Sequence, residues 1–423
     1  MSGSFPVAPL PEPLPERLYL WWLGQPQQPR LIGELAMARS LRGVSLRYHP
    51  SWLREGFALS EDLPLTEGEF LPREKDMAAG AVDDARPDRW GERVIRFLDR
   101  PRRLSVLDFL YYAGDERFGA LGVSPSSTAY LPRSIGPLPT LPDVPAIEDL
   151  VQHILAGMPV DESQRRLVAP GVTFGGARPK ALIHIDDEQW VVKFSEPGED
   201  FDVPLVEHAT MTLCHQAGIN AAATRALALP QGGHAIAVRR FDRVNGQRVH
   251  AQSANVALKA AGAELGYPEL AQLLRRRGVT RDHLARAQMR ELFRRMVFNI
   301  LIDNTDDHEK NHVLLLTDAA QLALSPAFDV LPSGQSLGYQ QMRVGAQGHE
   351  ASLDNALSQA SQFGLDGKEA QAEVAVVAGV VAGWKDHFTT LGVSDREIDL
   401  LAGQIDRSAL ATQRDAVIQG RRR

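Results

Sequence analysis

A long helical pattern that runs into a loop of polar side chains constrains the fold of this chain most. Between Arg281 and Ile302, apolar residues recur in pairs four positions apart, which predicts one helix with a wide apolar stripe. The next nine residues, Asp303–Asn311, read DNTDDHEKN and include no apolar side chain. Short β patterns follow at Val313–Leu316 and Leu322–Leu324. The last part of the chain is therefore expected to be mostly helical, and from Lys368 onward the pattern predicts two closing helices.

The earlier part of the chain alternates short β patterns with helical ones. Turn-forming glycines interrupt the β patterns, and helical patterns follow them. The predicted strands are Leu18–Leu23, Leu31–Ala36, Val44–Tyr48, Ala181–Ile185, Trp190–Phe194, Ala226–Leu229 and Ala235–Arg239. The predicted helices lie near Arg89–Leu98, Ser105–Ala113 and Val206–Ala217, the last ending at Gly218. A small sheet with one helix, followed by a helical half, predicts an α+β fold with the two-lobed plan of protein kinases.

Proline content and pattern changes suggest where one part of the chain ends and the next begins. Five divisions result. They are a flexible proline-rich N-terminus (1–17), an N-terminal subdomain (18–131), a proline-rich linker (132–145), a part with the small sheet of a kinase N-lobe (146–243) and a helical C-terminal lobe (244–423).

Composition excludes several classes of protein. The 423 residues carry a formal charge of −7, so the chain as a whole is not built to wrap nucleic acid. No apolar run reaches the roughly 18 residues that cross a bilayer, and the N-terminus lacks the pattern of a secretory signal. The single cysteine, Cys214, excludes an intramolecular disulfide. A cytoplasmic location, without membrane contact, is therefore expected.

Three residues of the last part have the order and spacing that phosphoryl transfer requires. Asp306 and Asn311 follow the spacing D-x-x-x-x-N of a kinase catalytic loop, in which the aspartate accepts the hydroxyl proton and the asparagine holds a metal ion. Asp329 follows the second short β pattern, where a carboxylate suits the principal Mg²⁺ ligand. The sequence therefore predicts a site for ATP and Mg²⁺.

Upstream residues supply candidate contacts to the nucleotide. Lys193 lies in an apolar strand, where an ammonium group is costly unless it reaches an anion. Glu207, in the following helix, is the candidate that orients this lysine. Gly175 and Gly176, in the loop Thr173–Lys180, allow backbone N–H groups to approach a phosphate, and Lys180 is included with them as a candidate contact.

Two other motifs in the same loop point to different chemistry. His308–His312 reads HEKNH and matches the zinc-protease signature, which requires both histidines on one helix. Here the motif lies between a turn-like cluster and a strand, which disfavours that reading. A calcium loop is rejected because His308 occupies the position that needs glycine, and Leu314 the position that needs glutamate.

Several segments of the chain resemble the HipA family, the kinase toxins of bacterial toxin–antitoxin pairs. They fall in family order and extend from about Leu18 into the C-terminal helices. The segments are PDRWGERV (87–94), GDERFGALG (114–122), GGARPKA, VVKF, RRFDR (239–243), FNILIDNTDDHEKNH and SPAFDVLP (325–332). The resemblance implies a serine/threonine protein kinase with Asp306 as catalytic base, Asn311 and Asp329 as Mg²⁺ ligands and Lys193 on an ATP phosphate.

The resemblance also implies roles for residues that spacing alone does not single out. Lys310 would contact the transferred phosphate, and backbone groups near Arg239 and Phe241 would hold the adenine. Members of the family carry an autophosphorylated serine in the glycine loop, where this chain has Thr173. Asp307 replaces the small residue expected beside the base, and its carboxylate is expected to raise the pKa of Asp306.

The resemblance implies partners as well. HipA-type toxins bind a helix-turn-helix antitoxin of the HipB type, so contact with DNA is expected only through that antitoxin. The implied substrate is a protein, of which an aminoacyl-tRNA synthetase is the best-known type. Two alternatives stay open: a small-molecule phosphotransferase of kinase-like fold, and a non-catalytic partner of a DNA-binding antitoxin.

Overall fold

A computed structural model describes residues 15–134, 136–171, 176–317, 320–333 and 335–421 of the chain. The chain forms two compact units. The first unit comprises Met1–Phe194 and Arg239–Gln252, and the second unit comprises Ser195–Val238 and Ser253–Arg423. The predicted limits of the subdomain, linker and lobes stay predictions.

The strands of the described ranges agree with the predicted β patterns and add short ones. They are β1 (Arg17–Trp22), β2 (Arg30–Ala38), β3 (Gly43–Tyr48), β4 (Leu121–Ser124), β5 (Lys180–Ile185), β6 (Glu188–Lys193), β7 (Thr224–Ala228), β8 (His234–Arg239), β9 (Arg243–Val244), β10 (Gln247–Arg248), β11 (Ala251–Ser253), β12 (Val313–Leu316) and β13 (Leu322–Leu324).

The α-helices of the same ranges are concentrated toward the C-terminus. They are α1 (Pro50–Glu55), α2 (Arg89–Val94), α3 (Val106–Tyr112), α4 (Val144–Ala156), α5 (Val203–Gln216), α6 (Ala254–Ala260), α7 (Tyr267–Arg277), α8 (Leu284–Leu301), α9 (Leu353–Ser358), α10 (Gly367–Val381), α11 (Trp384–Thr390), α12 (Asp395–Ile405) and α13 (Ser408–Arg421). Within the described ranges, none of these helices has the length and apolar character that a bilayer crossing demands.

The first unit contains an antiparallel sheet in the order β3-β2-β1-β4. Alternate residues of β1 face the core until a bulge between Leu20 and Trp21, after which Trp21 is buried as well. The hairpin β5–β6 turns at Asp186 and Asp187, both with positive φ, as the tight turns that match strand twist require.

In the first unit, the end of the proline-rich passage forms helix. A 3₁₀ turn occupies Leu141–Asp143, and α4 begins at Val144. Pro145 lies in the first turn of α4, where its missing N–H leaves no intrahelical bond unmade. Pro145 therefore helps to start a helix.

The second unit is built around α8, which packs against α7 and α10. The apolar pairs predicted for this helix are buried, among them Phe293, Met296 and Ile300. The helix begins three residues later than the sequence pattern predicts, because Asp282 and His283 have positive φ. Hairpin β12–β13 and most of hairpin β7–β8 also lie in this unit.

The prediction of two closing helices is wrong. Between Gly367 and Arg421, the described residues form four, α10 to α13. Gly383 and Gly392 lie at two of the breaks, and Ser394 starts α12 with a capping box closed by Glu397. These local stop and start signals divide the alanine- and valine-rich pattern into shorter helices.

Candidate active site

The polar loop of the second unit begins where α8 ends. The backbone N–H of Asn304 donates to the carbonyl of Asn299 at 2.9 Å, which closes the last turn of the helix. Asp303 has a φ of 58°, the left-handed conformation in which helices commonly end. The loop then continues to His312, and β12 begins at the next residue.

Asp303 fixes the start of this loop. Its buried carboxylate accepts a hydrogen bond from the Arg407 guanidinium at 3.0 Å. Its carbonyl accepts from the backbone N–H and from the hydroxyl of Ser333, each at 3.1 Å. Ser333 in turn shares a hydrogen bond of 2.5 Å with the hydroxyl of Thr305. The loop start is therefore attached both to the segment after β13 and to the junction of α12 and α13.

The middle of the loop is held by a buried carboxylate. Asp307 Oδ2 accepts a hydrogen bond from the hydroxyl of Tyr267, and it lies 2.7 Å from His312 Nε2. Burial opposes ionisation of this carboxyl, but the contacts with His312 and Tyr267 hold the pKa of Asp307 below its ordinary value. Asp307 is therefore an ionised, fully engaged group that supports the loop.

Asp306, in contrast to the buried Asp307, is exposed. Desolvation by the surrounding protein raises the pKa of Asp306, His308 lowers it, and the carboxylates of Asp329 and Asp307 raise it further. The net effect is a pKa above that of an ordinary aspartate. The expected influence of Asp307 on its neighbour is confirmed in direction, although desolvation is the larger cause.

Asp329 reaches the same region from the segment after β13. It has a φ of 60°, an uncommon conformation for a residue with a side chain. Just before it, the backbone N–H of Ala327 donates to the carbonyl of Asn220 at 2.7 Å. Because the carboxylate of Asp329 acts on the pKa of Asp306, the two carboxylates share one electrostatic environment. The structure therefore brings together the two aspartates that the sequence singled out.

Asn311 is buried beside this pair. A small cavity of about 10 Å³ is bordered both by Asn311 and by Phe328, the neighbour of Asp329. Within the described part of the chain, the Oδ1 atom of Asn311 is buried without a hydrogen-bond donor. A buried oxygen without a hydrogen-bond donor is suited to bind a cation.

Asn311 and Asp329 are therefore the residues that would hold Mg²⁺. Mg²⁺ prefers oxygen ligands and usually takes only one or two from the protein, with substrate phosphates and water completing its shell. Among the residues that the structure describes, no group of three or more His, Cys, Asp or Glu side chains could hold a metal alone. The donor set fits a metal that arrives with a nucleotide.

The HEKNH segment does not form a zinc-protease site. Residues 308–312 lie in turns and not in a helix, so the two histidines are not one helical turn apart on a common face. His312 instead contacts Asp307. The described backbone therefore lacks the helix that the zinc-protease signature requires.

The predicted phosphate lysine and its candidate partner are both buried. Lys193 is the last residue of β6 in the first unit, and Glu207 lies on α5 in the second unit. Each is almost completely shielded from solvent, which is unusual for charged side chains unless they meet an opposite charge or an anion. The pairing of Lys193 with Glu207 stays a prediction.

The candidate glycine loop lies partly outside the described residues. Thr173 and Gly175 belong to the segment 172–175, which the structure does not describe. Gly176 has a φ of 35°, and its carbonyl accepts a hydrogen bond from the ammonium of Lys180 at 2.8 Å. Lys180 also donates to Asp88. This lysine therefore connects the end of the glycine loop to another segment of the first unit.

The predicted adenine-binding segment rests on a buried ionic network in the first unit. Asp242 accepts from Arg240 at 2.7 Å, from Arg243 at 2.7 Å and from the backbone N–H of Gly119 at 2.8 Å. Burial opposes ionisation, but the two arginines lower the pKa of Asp242 to about 2. Nearby, Arg239 is exposed and pairs with Glu188 at 3.4 Å, and the ring of Phe241 packs edge-on against Phe118. Lys310, on the loop of the second unit, is exposed.

Sequence reasoning missed the residues that hold the loop from a distance. Tyr267, Arg407 and Ser333 have no motif spacing to the loop, and no local signal identifies them. Asp88 lies in the PDRWGERV segment, which resembles a family segment, but nothing in its spacing indicated a contact with Lys180.

Comparison with protein families gives two matches. The model of the HipA-like C-terminal domain matches residues 172–384, half of the chain. The model of the HipA N-terminal domain matches residues 27–124. A curated protein of Sinorhizobium fredii named "Putative kinase Y4dM" is 33% identical over 158 residues, which cover 34% of this chain and 37% of that protein. The chain therefore matches less than half the length of that relative.

Comparison with solved structures gives a match over nearly the whole chain. A chain of the Shewanella oneidensis MR-1 complex of the toxin–antitoxin proteins HipA and HipB with operator DNA is 18% identical, with a TM-score of 0.65, and the match covers 96% of this chain and 99% of that one. The Helicobacter pylori proinflammatory kinase CtkA is 11% identical, with a TM-score of 0.42, over 57% of this chain and 95% of its own. The predicted α+β, two-lobed HipA-like fold is confirmed.

Proposed function

The chain belongs to the HipA family, and from that premise we propose that it is a toxin-type kinase that transfers the γ-phosphoryl group of ATP to a serine or threonine of a protein. One observation carries this proposal. In a single unit, the carboxylates of Asp306 and Asp329 share an electrostatic environment beside Asn311, whose buried Oδ1 lacks a donor among the described residues. This is the set of groups that phosphoryl transfer needs from a protein.

Asp306 is the proposed catalytic base. Its exposure suits contact with a hydroxyl group of a large substrate, and its raised pKa brings its proton affinity closer to the working pH. Asp306 would accept the proton of the attacking hydroxyl while its oxygen bonds to the γ-phosphorus, and the bond from that phosphorus to the β–γ bridging oxygen would break to release ADP. Lys310, exposed on the same loop, would contact the transferred phosphate.

Asn311 and Asp329 are the proposed ligands of Mg²⁺. Mg²⁺ held by these two residues would supply positive charge that neutralises the phosphates of the nucleotide. Of the other candidates, Lys193 would contact an ATP phosphate, Glu207 would orient that lysine, and backbone groups near Arg239 and Phe241 would hold the adenine.

The glycine loop is the proposed cover of the phosphates. Gly175 and Gly176 would approach the phosphates through their backbone N–H groups. Lys180, already bonded to Asp88, would support the loop more than the nucleotide. Thr173 carries a hydroxyl within this loop and is the proposed site of autophosphorylation.

The proposed substrate and partners are proteins. An aminoacyl-tRNA synthetase is the proposed type of target. A helix-turn-helix antitoxin of the HipB type is the proposed partner, in keeping with the structurally similar chain from a complex that contains HipB and operator DNA. The acidic balance of this chain agrees with a DNA contact made through that antitoxin.

The experiment that tests the proposal follows the fate of labelled phosphate. The purified chain is incubated with Mg²⁺, γ-labelled ATP and a bacterial lysate, and label is measured separately in precipitated protein and in small molecules. We expect label on serine or threonine of protein, and its loss in Asp306→Asn. Asp386→Asn, which changes an exposed aspartate on α11, is the matched control and should remain active. Label found only in small molecules would refute protein phosphorylation.

A further inference from the structure

A buried hydrogen-bonded network in the second unit joins the middle of the polar loop to its end. Asp307 directly follows Asp306, and His312 directly follows Asn311. The bond between Asp307 Oδ2 and His312 Nε2, at 2.7 Å, therefore closes the loop between the proposed base and the proposed metal ligand. Both partners are almost fully buried, so water does not compete for this bond.

Tyr267 attaches this closed loop to the helical core. Its hydroxyl donates to the same Oδ2 atom of Asp307 that His312 contacts. Hydrogen bonds to an ionised acceptor are roughly twice as strong as bonds between neutral groups. The ring of Tyr267 is fully buried and packs edge-on against the His312 ring, with centroids 5.4 Å apart. Its backbone N–H donates to the carbonyl of Arg343 at 3.0 Å, which fixes the start of α7.

The network continues to the end of α8. Asn299 Nδ2 donates to the hydroxyl of Tyr267 at 3.4 Å, and Asn304 Nδ2 donates to Asn299 Oδ1 at 3.1 Å. All three side chains are buried. The loop is thus attached to the helix it follows as well as to α7.

The start of α6 holds the loop from another side. The backbone N–H of Ala254 donates to the carbonyl of His312 at 2.7 Å, and that of Asn255 to the carbonyl of Glu309 at 3.2 Å. These bonds fix the backbone near Asn311 but do not reach Asp307. The position of Asp307, and with it the direction of Asp306, depends on Tyr267 and His312.

We propose that Tyr267 is a positioning residue for phosphoryl transfer, and that it acts through the Asp307–His312 pair to keep Asp306 and Asn311 at a fixed separation. This inference rests on the proposed function of the loop. Tyr267 touches neither substrate nor metal in this scheme. Removing a side chain that holds the residues of a metal site in place commonly lowers activity or metal affinity by roughly 10- to 100-fold.

The test is Tyr267→Phe, which removes the hydroxyl and keeps the buried ring. The kcat for phosphoryl transfer is expected to fall by roughly 10- to 100-fold, while the KM for ATP stays nearly unchanged. The Mg²⁺ concentration that half-saturates nucleotide binding is expected to rise, because a weakened Asp307–His312 bond lets the Asn311 side chain move although α6 still holds the backbone there. This second readout requires no turnover, and a residue that only stabilised the fold would not change it.

Two further comparisons separate positioning from stability. Tyr130→Phe is the matched control, since this buried tyrosine of the first unit donates to the carboxylate of Asp115 at 2.6 Å. It should lower the melting temperature without changing kcat or the Mg²⁺ requirement. His312→Gln keeps an N–H donor at the position of Nε2 and should retain much of the activity that His312→Leu loses.

The outcomes distinguish this inference from the proposed function. If the unchanged chain transfers phosphate and Tyr267→Phe matches it in both kcat and Mg²⁺ requirement, the inference is wrong and the proposed function stands. Equal losses in Tyr267→Phe and Tyr130→Phe would also overturn it. If the unchanged chain binds no nucleotide, the proposed function fails, and the inference fails with it.

Discussion

Replacing Arg407 with methionine should weaken the second unit in a way that depends on pH. The Arg407 guanidinium donates to the carboxylate of Asp303 at 3.0 Å, and that carboxylate is fully buried. Methionine keeps most of the aliphatic length of arginine but leaves the buried carboxylate without its cation. The start of the polar loop would therefore lose its attachment to the junction of α12 and α13.

The size of the effect follows from the surroundings of the pair. Breaking a buried ion pair from one side costs about 3–5 kcal/mol. The Arg407 side chain keeps 21% of its exposure, so part of this cost is avoided. We expect a loss of about 2–3 kcal/mol in the free energy of unfolding. In a unit of this size, that corresponds to a decrease in Tm of roughly 5–10 °C.

The pH dependence has a defined sign. Burial raises the pKa of Asp303 in the folded chain, although Arg407 and Ser336 oppose the shift. A raised folded-state pKa contributes stability at pH values below the unfolded pKa, and this contribution is lost as the pH rises through the folded pKa. Without Arg407 the pKa of Asp303 rises further. The cost of the substitution should therefore be largest at neutral pH and smallest in acid, where the carboxyl group is protonated in both proteins.

The assay is urea unfolding at several pH values, followed by a signal from the second unit. Lys385→Met is the matched control, because Lys385 pairs with Asp406 at 2.9 Å but is half exposed. Exposed pairs of this kind contribute about 0–1 kcal/mol. The reasoning is refuted if Arg407→Met costs no more than Lys385→Met, or if its cost increases as the pH falls.

Three further predictions concern the site and its surroundings. Because desolvation raises the pKa of Asp306, acidification should reduce phosphoryl transfer at a higher pH than it would with an ordinary aspartate base; a kcat–pH profile that falls only near the ordinary aspartate pKa contradicts this. Asn311→Leu should fill the space of the amide yet remove the Mg²⁺-dependent part of ATP affinity, measured by calorimetry with and without Mg²⁺; an unchanged Mg²⁺ dependence counts against its role as a ligand. Burial raises the pKa of the Cys214 thiol, so iodoacetamide should modify this thiol only after unfolding. Rapid labelling of the native chain would contradict this prediction.

Local patterns predicted the elements of this fold well where neighbouring residues decide the outcome. The apolar pairs of α8 and the alternation in β5 and β6 carry their own period, and Gly218 marks the end of α5 through its positive φ. The pattern failed between Lys368 and the C-terminus. There a continuous apolar period conceals helix breaks that depend on single residues such as Ser394.

The residues of the site divide in the same way, into those that spacing along the chain identifies and those that only folding brings together. Asp306 and Asn311 lie five residues apart in one loop, so their spacing alone indicated a catalytic loop. Tyr267 and Arg407 lie about 40 and 100 residues from the carboxylates they contact, and only folding brings them there. Asp307 illustrates the difference most clearly. The sequence predicted its effect on the pKa of Asp306, but not that it would be buried between Tyr267 and His312.

The central claim is that the polar loop of the second unit transfers phosphate. The most direct test is the intact mass of the purified chain after incubation with Mg²⁺ and ATP, compared with Asp306→Asn, followed by peptide mapping. The account predicts the addition of at least one phosphoryl group, mapped to Thr173 or another hydroxyl, together with no addition in Asp306→Asn although that variant still binds nucleotide. Equal phosphorylation of both proteins would contradict the account, because the phosphate would then be transferred without the proposed base.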